Sequence, residues 1–154
     1  MKHVWIVISI LFLNICTLSA CFNFSGFEKI NYKNGDISVS AKGNKLVIKN
    51  SSIERVWELT PHGLVTRGVK NKKSGKVWEN PGSGVLCDWS YEGLIDGKEK
   101  ARLLSLVARE SNDEGFTDQH TEVIAEFEYP GKKLFLQYVI WIYPENQGIR
   151  TQIY

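Results

Sequence analysis

The sequence is short of several things, and each shortage closes a class of function. Charge of one sign is missing, because 19 lysines and arginines stand against 17 aspartates and glutamates and the two signs are interspersed. Nucleic-acid binding needs a basic face, usually with a pI above about 9, so no nucleic-acid partner is expected. No clean apolar run reaches the roughly twenty residues that cross a bilayer as a helix. Histidines number three. Of these, His62 and His120 lie far apart, stand at no metal-ligand spacing from a cysteine and open no nucleophile motif, so neither a metal nor a catalytic triad is expected. Pro81-Gly82-Ser83-Gly84 lacks the lysine and the following helix of a phosphate loop, and nothing else in the chain asks for a cofactor. A helical period of useful length is lacking throughout.

What is present begins with a leader. Lys2 and His3 form a short basic head, and Val4 to Asn14 (VWIVISILFLN) have the length of a signal peptide rather than of a membrane span. Leu18-Ser19-Ala20-Cys21 resembles the lipobox of bacterial lipoproteins, in which an aliphatic and two small residues precede the acylated cysteine. The resemblance implies that residues 1–20 are a cleaved signal peptide, that Cys21 is the lipidation site, and that the membrane is a partner through this anchor. Phe22, not aspartate, follows the cysteine, which by resemblance to known sorting implies the outer membrane of the cell envelope. Cys16 then leaves with the leader and Cys21 is blocked, so Cys87 has no partner and no disulfide framework exists. Within GVLCDW there is no nearby lysine or histidine to lower its pKa, and Cys87 is expected to be a buried small hydrophobe. Removal of Lys2 lowers the formal charge from +2 to +1.

Residues 21–154 suffice for one domain with a core and are too few for two. Residues 21–35, polar with scattered aromatics, read as a tether, and 36–154 as an antiparallel β-sandwich of the all-β class. Strands are expected at Asp36 to Ala41, Lys45 to Lys49 and Ile53 to Leu59, with Gly43-Asn44 and Asn50-Ser51 as turns. In the third, Ile53, Arg55, Trp57 and Leu59 share one face and Glu54 and Glu58 the other. After the break at Pro61-His62-Gly63 come Leu64 to Lys70 and, past the polar turn Asn71 to Lys76, Val77-Trp78. Val85 to Tyr91 is a short strand candidate. Arg102 to Glu110 fits a helical turn or a strand by pattern, and its neighbours decide for a strand. His120 to Tyr129 alternates, while Lys133 to Tyr143 is apolar on both sides, as an inner strand is. A final strand is expected from Ile149 to Tyr154, ending with no turn, cap or polar tail, so the domain is expected to be incomplete at its C-terminus.

Three segments carry a family resemblance. Leu46 to Trp57 (LVIKNSSIERVW), Gly63-Leu64-Val65-Thr66 with Asn71-Lys72-Lys73-Ser74-Gly75-Lys76, and Trp141 to Glu145 with Gly148 to Gln152 are together similar to the N-terminal β-supersandwich of α-galactosidase-like glycoside hydrolases. The resemblance implies a non-catalytic sandwich acting in carbohydrate processing at the cell envelope. In that family two aspartates on a separate barrel do the retaining chemistry, and no part of this chain matches the barrel. The alternatives are a stand-alone carbohydrate-binding lipoprotein and a structural surface lipoprotein.

Site residues are few. Asp88, Asp113, Glu114 and Asp118 are the carboxylates worth weighing, and each reads as a solvated loop residue, so no catalytic residue is assigned. Of the four tryptophans after the leader, Trp57 and Trp141 sit in apolar strands and read as core. Trp78 and Trp89, beside polar loops, are the carbohydrate-binding candidates, because an exposed indole can stack on a sugar ring.

Overall fold

The structure, a computed structural model, describes residues 26–82, 86–89 and 99–154. Residues 1–20, read from the sequence as a signal peptide, and Cys21 lie outside the described residues. Among the described residues, ten strands form two antiparallel sheets. Sheet A runs β1 (Phe27–Asn34), β2 (Ile37–Gly43), β3 (Lys45–Lys49), β4 (Ile53–Thr60), β5 (Gly63–Asn71) and β6 (Val77–Glu79), each hydrogen-bonded to the next. Sheet B contains β7 (Arg102–Ser111), β8 (His120–Tyr129), β9 (Leu134–Ile142) and β10 (Ile149–Ile153), in the order β10-β9-β8-β7. The all-β sandwich read from the sequence is therefore the fold. Among the described residues no helix is long and apolar enough to cross a membrane.

The core follows from alternation. In β8, Val123, Ala125, Phe127 and Tyr129 are fully buried while Glu122, Glu126 and Glu128 turn outward to meet Arg109, Ser105 and Arg102 of β7. Each burial of a large apolar side chain contributes about 1.5–3 kcal/mol. In β4, Trp57 is fully buried and Ile53 and Leu59 nearly so, on the face that the sequence pattern selects. Sheet B's β9 is an inner strand and buries residues of both faces, Leu136, Tyr138, Ile140 and Ile142 inward and Val139 and Trp141 outward. Arg150 lies over the Trp141 ring, which explains how an outward tryptophan is covered.

Two expectations need correction. Much of the segment read as a tether is strand β1, whose Ile30 and Tyr32 pair opposite Ala41 and Val39 and pack on the core. The polar look of FEKINYKN comes from an edge strand with only one face to bury. The second concerns Val85 to Tyr91: residues 86–89 carry no strand, and 85, 90 and 91 lie outside the described residues.

One corner ties distant segments together. Asn50 donates through Nδ2 to the Tyr143 and Asn146 carbonyls at 2.9 and 2.8 Å, and its Oδ1 accepts from the Ser52 and Ile53 amides. Ser52 Oγ donates to the Glu145 carbonyl, and Lys72 donates from Nζ to the Asn50 carbonyl and from its backbone to Ser52. The cluster Lys70 to Lys73, which reads as a solvated turn, thus gives one lysine to this corner.

Candidate functional site

The two sheets are unequal, and the inequality makes the site. Strand β1 lies near β7, so the sheets are flush at that margin and sheet A, with six strands against four, overhangs at the other. Paired residues of neighbouring strands point to the same side. Successive registers therefore give one inward row across sheet A: Tyr32, Val39, Ile48, Arg55, Val69 and Trp78. Val39 and Ile48 in this row are buried, yet Trp78 at its end is 54% exposed. Among the described residues, sheet B has no strand over it.

Beneath this overhang lies an open groove of about 440 Å³, lined by Arg55, Thr66, Val69, Trp78, Asn80 and Asp88 of one wall and by Tyr138, Thr151 and Ile153 of the other. A bulge in β5 brings two of these residues to one face. Val56 pairs with Gly68 and Trp57 with Thr66, so Arg67 is extra and both Thr66 and Val69 look inward. The displaced Arg67 is held on the outside by Glu58, at 2.6 Å.

The groove floor is an acid clamp. Asp88 Oδ2 accepts from Trp57 Nε1 at 3.0 Å, from Arg55 Nη2 and Tyr138 Oη at 3.2 Å each, and from the Thr66 hydroxyl, while Oδ1 accepts from the Thr66 amide at 2.6 Å. Trp57 belongs to sheet A and Tyr138 to sheet B, so one carboxylate joins the two layers. Its side chain is only 14% exposed. Asp88 is a loop residue and exposed as a whole, as the sequence reading has it, but its carboxylate is turned inward and taken up by protein donors rather than by water. A carboxylate so covered needs charge and donors around it, and the fold supplies both. Arg55 stands over the Trp57 ring at 4.6 Å and donates to Thr66 as well as to Asp88. Burial pushes the Tyr138 phenol up from its ordinary value, and the neighbouring Asp88 charge adds to this.

The two sequence-selected tryptophans separate. Trp78 is in the groove and exposed. Trp89 is 4% exposed, packs on Phe127 and Tyr138 with ring centroids at 5.2 and 4.9 Å, and donates from Nε1 to Tyr129 Oη, which donates on to the His62 carbonyl. It cannot stack on a sugar, so its place among the carbohydrate-binding candidates is withdrawn. Alternation is the reason: along residues 86–89, Asp88 turns to the groove and Trp89 into the core. Cys87, also buried, donates to the Trp89 carbonyl, and burial, with the Asp88 charge beside it, raises its thiol to about 11.

The other carboxylates stand apart from the groove. Asp113, Glu114 and Asp118 belong to the loop that leads into β8, where Asp113 accepts from Thr117 and the backbone carbonyl of Asp118 meets the ring of His120. His120 is buried between Trp141 and Tyr143. His62 meets the Glu99 carbonyl at 2.8 Å. Among the described residues, no three His, Cys, Asp or Glu side chains come together as metal ligands.

Arg55, Thr66, Tyr138 and Thr151 were missed as site residues. Only Arg55 gave a signal: a lone arginine on an otherwise apolar strand face calls for a carboxylate partner. Comparisons with protein-family models, with curated proteins and with solved structures found no match for this chain.

Proposed function

We propose that the chain is a non-catalytic β-sandwich of the α-galactosidase-like kind that handles carbohydrate at the cell envelope, held there by lipid on Cys21. The observation that carries this reading is the meeting of three motif segments at one corner. Asn50 to Ile53, Asn71-Lys72 and Tyr143 to Asn146 are far apart in sequence, and the first of them is hydrogen-bonded to both of the others, through Lys72 on one side and the Tyr143, Glu145 and Asn146 carbonyls on the other. A constellation in which each segment serves the same joint is what a shared fold signature would keep together.

The groove chemistry supports the non-catalytic part. Retaining glycoside hydrolysis needs two carboxyl groups about 5 Å apart across the scissile bond. Among the described residues that line the groove, Asp88 is the one carboxylate, and both of its oxygens are occupied by donors from the protein itself. It is fixed as an acceptor.

A glycan array probed with the full chain, extracted from membranes in detergent, tests the reading. Retention of glycans ending in α-linked galactose is the expected result. An array with no retained glycan would favour the structural surface lipoprotein instead.

A further inference from the structure

We propose that the groove between β6 and β10 binds a single neutral pyranose ring, with the Trp78 indole as its stacking platform. This rests on the carbohydrate reading above and gives it a site. Trp78 occupies the end of a core-facing row, a position at which a sandwich normally buries its aromatics, yet more than half of its surface is open. An inward indole without a covering strand offers a flat apolar surface next to polar groups. The C–H face of a sugar ring fits that surface.

The charges of the groove select against other ligands. Arg55 and Asp88 form an ion pair at 3.2 Å, so the site has no net charge of its own. A phosphate or carboxylate would meet Asp88, and a cation would meet Arg55. Around the pair, Arg55 Nη1 has no hydrogen-bond partner among the described residues, and Asn80 and Thr151 stand at opposite walls. This mixture of donors and acceptors suits hydroxyl groups, each of which both donates and accepts. A wholly apolar occupant would desolvate these groups without partners.

Size agrees, since about 440 Å³ falls within the roughly 300–1,000 Å³ typical of ligand pockets. A depression of equal volume on the outer face of β4 to β6 makes the contrast. It is lined by Val56, Val77 and Pro81 as well as Glu54, Arg67 and Lys70, and it has no aromatic side chain to serve as a platform.

Titration of the detergent-extracted full chain with methyl α-galactopyranoside, methyl α-glucopyranoside and glucuronate, followed by ligand-observed NMR, tests the assignment. The neutral glycosides should bind more tightly than the charged one. Trp78→Ala should weaken them about tenfold, Trp78→Phe should restore part of the loss, and Phe116→Ala, at a fully open position on a distant loop, should change nothing. If the array retains glycans but Trp78→Ala binds them as the parent does, the groove assignment falls and the functional reading stands. If no glycan binds anywhere, both fall. A Trp78→Ala variant that loses self-association in sedimentation while keeping its sugar affinity would assign the face to a second copy and overturn the proposal.

Discussion

Replacing Asp88 by alanine tests the clamp that shapes the groove. The change removes the acceptor of five hydrogen bonds, from Trp57, Arg55, Tyr138 and both donors of Thr66. Trp57 is fully buried, so its Nε1 proton is stranded out of reach of bulk water. An orphaned buried donor costs about 1–3 kcal/mol, and losing the hydrogen bond of a partly exposed charge pair about 1.5–3 kcal/mol. These are not additive, and Arg55, 20% exposed, recovers some hydration. A net loss of about 3–5 kcal/mol is the working figure, which lowers Tm by roughly 10 °C or more for a domain of this size. Arg55→Met should cost less, about 1–2 kcal/mol, because Asp88 keeps its other donors. Urea melts followed by tryptophan fluorescence give the values, with Asp113→Ala as the exposed-loop reference. If Asp88→Ala and Asp113→Ala both fell within about 0.5 kcal/mol of the parent, the clamp would be shown to carry no stability.

Gly63 has φ of +133°, and a Cβ there would run into the Trp89 ring, so Gly63→Ala should lose about 2–4 kcal/mol in the same melts; an unchanged midpoint would contradict this packing. Cys87 holds its proton to about pH 11 when folded but to about pH 9 when exposed, so its contribution is complete below pH 9 and fades between pH 9 and 11. Cys87→Ala should therefore flatten the fall in stability over that window, and an identical slope would refute the assignment. Cys21→Ala should move the chain from the detergent phase to the aqueous phase, since stable anchoring takes about two acyl chains; continued detergent partitioning would refute the lipid anchor.

Strand positions were legible wherever a strand buries one face. The alternation of β8 and the face shared by Ile53, Trp57 and Leu59 in β4 are direct imprints of the pleat on the sequence. Strand β1 was hidden because its register shifts between Phe27 and Ile30, which breaks the two-residue alternation of its apolar positions. The groove was hidden for a different reason: it depends on which strands pair and how many lie in each sheet, and neither count appears in any local window. Trp78 and Trp89 look alike in sequence, each an indole beside polar loop residues. Only the overhang of sheet A, which leaves one uncovered, and the inward turn of residues 86–89, which buries the other, tell them apart. Asp88 was visible as a candidate, but its donors come from β4, β5 and β9, which local sequence does not bring together.

Whether this sandwich holds sugar, and does so without cleaving it, is read out by one titration. The full chain, purified in detergent, is mixed with increasing 4-nitrophenyl α-galactopyranoside while tryptophan fluorescence reports binding and absorbance reports released nitrophenolate. Saturable quenching with no nitrophenolate above a protein-free control is the expected result. Nitrophenolate release that follows the chain through further purification, or the absence of any saturable signal, would contradict it.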